Sequence, residues 1–161
     1  MKVVHTIEAL GGGVYTYFED LTHHFEKEDI RQKVPTSILY SDNRKEIDPQ
    51  KVAQLFSTIP TVKVSMEREI NPILDFKAIQ SLVRELKKIK PDVVHLHSSK
   101  AGVLGRIACC FVSPKPLVFY TPHGYAFQRT DISPISKKMY WFIEKYFQKI
   151  FGGITIACGD S

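Results

Sequence analysis

The sequence predicts an α/β domain built on an open, mostly parallel sheet. Short β-branched runs alternate with longer amphipathic stretches along the whole chain, the pattern of strands joined by crossover helices. The runs Val93 to Leu96 and Leu117 to Tyr120 are nearly continuous in apolar residues, as strands covered on both faces are. A length of 161 residues, 43% apolar and 24% charged, suits one domain with its own core and excludes a disordered or fibrous chain.

The first strand is expected at Lys2 to Ile7. Gly11, Gly12 and Gly13 follow it and open a helix whose apolar stripe is Val14, Tyr17, Phe18, Leu21 and Phe25. A second strand runs from Lys33 to Tyr40. Ser41 to Pro60 shows no clear period apart from a short helix over Asp48 to Phe56. After a third strand, Thr61 to Met66, the stripe Phe76, Ile79, Leu82, Val83, Leu86 and Ile89 marks a long helix. Both stripes are expected to pack on the sheet.

The fourth strand is Asp92 to His97, and the helix after it carries Ala101, Gly102, Gly105 and Ala108, small enough to lie close to the sheet. Leu117 to Thr121 is the fifth strand. A last helix, about Ser133 to Phe151, has Ile135, Met139, Phe142, Tyr146 and Ile150 at spacings of four, three, four and four, with Lys137, Lys138 and Lys145 read on the opposite side. The sixth strand is Gly153 to Ala157. The expected whole is a Rossmann-like three-layer domain with a six-stranded sheet and no internal repeat.

A formal charge of +5 and a pI near 9.1 suit phosphorylated ligands, an anionic membrane or nucleic acid. The cations fall in short groups such as Arg84, Lys87, Lys88 and Lys90 rather than one block interleaved with aromatics, which points away from nucleic acid. There is no apolar run of transmembrane length, and Met1 to Ile7 lacks the flanks of a secretion signal, so the chain reads as cytoplasmic. Cys109, Cys110 and Cys158 have neither disulfide nor metal spacing and are expected to be reduced core residues.

Ligands of an open parallel sheet bind at the carboxyl ends of its strands, where strand order reverses. Three segments should meet there. Gly11 to Gly13 can bring backbone amides and a helix N-terminus to a phosphate, or can simply be a flexible turn. Thr16 stands where the dinucleotide fingerprint needs its third glycine, which disfavours a nicotinamide enzyme. In the second segment, strand alternation puts His95 and His97 on one face, and Ser98 or Ser99 can cap the next helix. A metal reading of that histidine pair lacks a third ligand nearby in sequence, so no metal is expected. In the third, Pro122 and Gly124 force a tight exit that leaves His123 at the tip.

At these residues the sequence resembles the N-terminal domain of the family 4 glycosyltransferases, retaining enzymes of the GT-B fold, particularly those making capsule, lipopolysaccharide or exopolysaccharide. The resemblance covers essentially the whole chain. It rests on the glycine loop, the run Pro91 to Gly102, the turn Thr121-Pro122-His123-Gly124 and the closing Ala157-Cys158-Gly159-Asp160-Ser161. It implies that Gly12 and Gly13 approach the donor diphosphate and that catalytic His123 faces the transferred sugar. Ser98, Ser99, Lys100 and Tyr125 would lie near the acceptor, a glycan or a lipid-linked sugar. It further implies that residues 1–161 form the acceptor-side domain of the enzyme. On that resemblance the family's C-terminal donor-binding domain is expected to lie outside residues 1–161, with no helix expected after the last strand within them.

The expected activity is therefore transfer of a sugar from a nucleotide-sugar donor, itself a substrate, without a cofactor, once a donor domain completes the site. Absence of a carboxylate pair at hydrolase spacing fits a transferase. Two alternatives stay open: a non-catalytic Rossmann-like binding module, and part of a nucleotide-sugar epimerase of the same fold. Peripheral contact with the inner face of the membrane is a separate expectation, through the helices near Arg84 to Lys90 and Lys137 to Lys145.

Overall fold

The computed structural model describes residues 1–25, 27–44 and 47–158. Its strands are β1 (Val3–Ile7), β2 (Thr36–Tyr40), β3 (Thr61–Lys63), β4 (Val93–His97), β5 (Leu117–Thr121) and β6 (Ile154–Thr155). They form one sheet in the order β3-β2-β1-β4-β5-β6. Every pairing is parallel, so "mostly parallel" becomes wholly parallel. The order reverses between β1 and β4, where ligands bind in this architecture.

The helices are α1 (Gly13–Phe25), α2 (Glu28–Lys33), α3 (Pro49–Leu55), α4 (Pro72–Ile89), α5 (Ser99–Cys109) and α6 (Pro134–Phe151). Three of them start alike: Asp48, Asn71 and Ser133 cap α3, α4 and α6 through their side chains, and a proline follows each cap. The short α2 occupies Lys33, where the second strand was expected to begin, and Pro35 lacks the N–H that a ladder needs. β2 therefore starts at Thr36.

Alternation along β1 separates the two faces. Val4 joins Leu39, Leu82, Leu86, Val94 and Leu96 under α4 and α5, whereas Ile7 joins Val14, Phe18, Ile38, Val52 and Phe56 under α1 and α3. Gly102 and Gly105 allow α5 its close approach. An added Cβ would stand 2.5 Å from the Tyr120 ring at the first and 2.2 Å from Leu96 Cδ2 at the second.

The two apolar stripes pack as expected except at Phe76, which is exposed. The last helix departs further. Ile135, Met139, Phe142, Tyr146 and Ile150 are all exposed, Ile135 at 83%, and the buried position of α6 is Glu144. The cause is Arg106 on α5, only 1% exposed. Its guanidinium donates to Gln148 Oε1 at 2.7 Å and to the carbonyls of Gly152 and Gly102, and lies 4.2 Å from the Tyr120 ring centroid. Tyr120 in turn donates to Glu144 at 2.8 Å. A buried guanidinium needs its hydrogen bonds satisfied, so α6 turns its polar side inward to supply them. Its lysines do not oppose the apolar stripe either: Lys145 Nζ lies 4.6 Å from the Trp141 ring centroid and Lys138 Nζ 6.0 Å from that of Phe142. Of the cysteines only Cys109 belongs to the core, with its thiol pushed up to about 12 by burial, while Cys110 and Cys158 are exposed.

Candidate functional site

A cavity of about 470 Å³ opens at the carboxyl ends of β1, β4 and β5, over the reversal of strand order. Its wall includes Glu8, Gly11, Ser98, Lys100, His123 and Tyr125, and α6 closes it with Tyr140, Ile143, Glu144 and Phe147. The three rim segments therefore meet at one place.

Ser98 leaves β4 at φ 85 and caps α5, its Oγ accepting from Ala101 N at 3.4 Å. The same hydroxyl donates to Glu8 Oε2 at 3.2 Å. His123 is also left-handed, at φ 52. Positive φ costs a residue with a Cβ, and such strain collects at functional sites. Ser99 Oγ accepts the backbone N–H of Ala126 at 3.2 Å and so ties the loop holding Tyr125 to α5. Tyr125 stacks on Phe127, centroids 4.9 Å apart. Lys100 is held by Asp75 at 2.7 Å and by the Glu69 carbonyl at 2.9 Å. Gly12, at φ +54, and Gly13 are exposed at the start of α1, beside Gly11 in the cavity wall. Gly159, Asp160 and Ser161 of the closing segment lie outside the described residues.

Glu8 is a site residue that the sequence reading missed. It is 1% exposed and receives a two-pronged hydrogen bond from Arg44 at 2.8 and 2.9 Å. Its signal was positional, one residue past the end of β1 and just before the glycines.

Beneath His123 runs a row of imidazoles on the α1 face of the sheet. Parallel register sets His5 opposite His95 and Ile7 opposite His97. His5 Nδ1 lies 2.9 Å from His97 Nε2, His97 Nδ1 lies 3.0 Å from His123 Nε2, and His123 Nδ1 lies 3.5 Å from Cys158 Sγ. His95 Nε2 pairs with the Thr121 hydroxyl at 2.7 Å. His5 is thus the third imidazole that the sequence reading did not find beside His95 and His97. The three offer nitrogens within 4.8 Å of one another, a metal-capable spacing. Both nitrogens of His97 and one each of His5 and His95 already hold hydrogen bonds, which a cation would have to displace.

Burial, with smaller repulsion from neighbouring imidazoles, holds the row neutral. The pKa of His5 falls to about 3, that of His95 to about 4, and His97 lies well below the ordinary value. Burial lowers His123 as well.

Comparison with known proteins gives the family and the fold. The profile of Glycosyltransferase Family 4 matches residues 11–157. Over 82 residues the chain is 44% identical to the UDP-Gal:alpha-D-GlcNAc-diphosphoundecaprenol alpha-1,3-galactosyltransferase of Escherichia coli, a match spanning 51% of this chain and 21% of that protein. Among solved structures, the apo form of the lipopolysaccharide outer core galactosyltransferase WaaB superposes with a TM-score of 0.62 at 16% identity, over 87% of this chain and 37% of that one. A UDP-N-acetylglucosamine 2-epimerase from Listeria monocytogenes gives 0.63 at 14% identity, over 96% and 39%. The chain thus spans about two fifths or less of these relatives.

Proposed function

This chain belongs to glycosyltransferase family 4, and on that premise we propose that it forms the acceptor-side half of a retaining sugar-transfer site, which a second, donor-binding domain completes. A nucleotide sugar is the donor, and a glycan or lipid-linked sugar of cell-surface polysaccharide synthesis is the acceptor. The observation that carries the reading is the cavity at the switch point, where His123, Ser98, Lys100 and Tyr125 line one wall system beside the start of α1.

In that site the N-terminus of α1, with Gly12 and Gly13, takes the donor diphosphate, because absent side chains allow close approach and the positive end of the helix dipole favours an anion there. His123 faces the transferred sugar. The acceptor lies by Ser98, Ser99, Lys100 and Tyr125. Such a site works by position and electrostatics, holding the acceptor hydroxyl while the leaving diphosphate is stabilised, and draws on no metal. The Escherichia coli relative, named for a GlcNAc-diphosphoundecaprenol acceptor, narrows the proposed acceptor to a sugar on a lipid diphosphate. Arg68 in the same wall suits that diphosphate, and Arg129 beside it would exchange its pairing with Asp131 for the ligand. The epimerase alternative draws support from fold likeness alone.

The test is transfer of labelled sugar from a panel of UDP-sugars to a short-chain GlcNAc-diphosphate lipid by the full-length protein. Labelled lipid is the expected product. Epimerised sugar without transfer would replace the reading with the epimerase, and neither product would leave a binding module.

Among the described residues no helix is long and apolar enough to cross a membrane. A lipid acceptor still requires a membrane surface, and α6 fits one better than α4. Arg84 and Lys88 of α4 both pair with Glu85, whereas α6 presents Trp141, Phe142 and Tyr146 beside Lys138 and Lys145. The chain is expected to float with anionic phosphatidylglycerol vesicles and to stop doing so when Trp141 and Phe142 are both replaced by serine. No co-migration at low salt would remove membrane contact from the proposal.

A further inference from the structure

Resting on the reading that His123 serves the transfer site, we propose that His97 is a positioning residue: through a buried chain of imidazoles it fixes His123 as the tautomer with its proton on Nδ1, the outward nitrogen.

A neutral imidazole has one N–H and one lone pair, so protons in a chain of them must all point the same way. The row His5–His97–His123 therefore has two states. If donation runs inward, His123 Nε2–H donates to His97 Nδ1, His97 Nε2–H donates to His5 Nδ1, and His5 is left with a proton on Nε2. That nitrogen is buried and, among the described residues, has no hydrogen-bond partner. If donation runs outward, His5 Nδ1–H donates to His97 Nε2, and His97 Nδ1–H donates to His123 Nε2. Only a lone pair is then left without a partner at His5. A buried, orphaned N–H is the rarer and costlier outcome, so the outward state is selected.

The consequence reaches the rim. His123 Nε2 is committed as an acceptor, and Nδ1 carries the proton toward the exposed Cys158 Sγ. The tautomer is the reverse of the one that predominates in a free histidine side chain. Tyr17 packs edge-on at 5.0 Å between centroids and Phe18 packs against His97 at 4.7 Å, so the rings cannot easily turn to exchange roles. Among the described residues, the groups facing His97 are His5 from β1, His95 from its own strand, His123 from the loop after β5, and Tyr17 and Phe18 from α1. None is a carboxylate that would hold the chain protonated and blur its direction. A site whose donor is set beforehand loses none of its transition-state stabilisation to reorganisation.

Long-range proton–nitrogen NMR of the ¹⁵N-histidine-labelled chain at pH 8 reads each tautomer directly. The expected result is a proton on Nδ1 and a bare Nε2 at His5, His97 and His123. In His97→Phe, His123 should revert to the Nε2–H form. His97→Gln should keep it Nδ1–H, since the amide oxygen can accept from His5 and the amide nitrogen can donate to His123. In the transfer assay His97→Phe should lower kcat about tenfold or more with acceptor KM within about twofold, and His97→Gln should recover most of the loss. His123 carrying its proton on Nε2 in the wild type, or unmoved by His97→Phe, would overturn the proposal. Should His97→Phe fail to fold, the wild-type and Gln tautomers still decide it. If the tautomers are as stated but His123→Ala transfers sugar normally, the imidazole chain stands and the reading of the site falls.

Discussion

Acidification from pH 7 to pH 5 should cost the folded chain about 4 kcal/mol through His5 and His95 alone, taking about 2 kcal/mol for each. Both have folded pKa values far below 6.5, about 3 and about 4. The sign follows from where the protons bind. Between the folded and unfolded values the unfolded chain binds more protons, so these groups stabilise fully above pH 6.5 and lose their contribution as pH falls toward 4 and then 3. His97, depressed by burial too, acts in the same direction. Against a typical domain stability of about 5–15 kcal/mol, such a loss removes from roughly a quarter to most of the total, so the chain is expected to be markedly less stable at pH 5 than at pH 7. Urea midpoints followed by Trp141 fluorescence from pH 8 to pH 4.5 check this. His5→Phe should flatten the dependence by about 1.4 kcal/mol per pH unit. Equal stability at pH 7 and pH 5 would show that the row is hydrated rather than buried.

That row also marks how far a sequence can be read toward a site. Strand and helix periods are local, and so are the turns that end the strands. Once the sheet was expected to be parallel, its carboxyl edge had to collect Gly11 to Gly13, Ser98 and His123. The cavity does collect them, Gly11 in its wall and Gly12 and Gly13 beside it. Register is not local. His5 meets His95 only because β1 and β4 pair without offset, and nothing within either segment states that offset. The rotation of α6 was hidden for a related reason. Its apolar spacing favoured burying Ile135 and Ile150, but one buried guanidinium on another helix outweighed it. Glu8 lay between these cases, since the end of a strand beside a glycine loop was readable, whereas its partner Arg44, 36 residues away, was not.

Alanine at position 123 should lower kcat/KM for transfer by about 10²-fold, the usual loss when one preorganised donor is removed from a site where charge develops. The backbone argues for this magnitude over a milder packing effect. His123 is held at φ 52 in a turn between Pro122 and Gly124, and its inner nitrogen is already bonded to His97. A side chain needed only to fill space has no reason to occupy a left-handed position, which asparagine or glycine adopts with less strain. His123→Asn separates the possibilities, because it relieves strain and keeps an amide donor. If a donor alone matters, Asn should recover part of the activity. If the proton must sit where the imidazole chain puts it, Asn should resemble Ala while melting no lower than wild type. An alanine variant as active as wild type toward every accepted donor would remove His123 from the site.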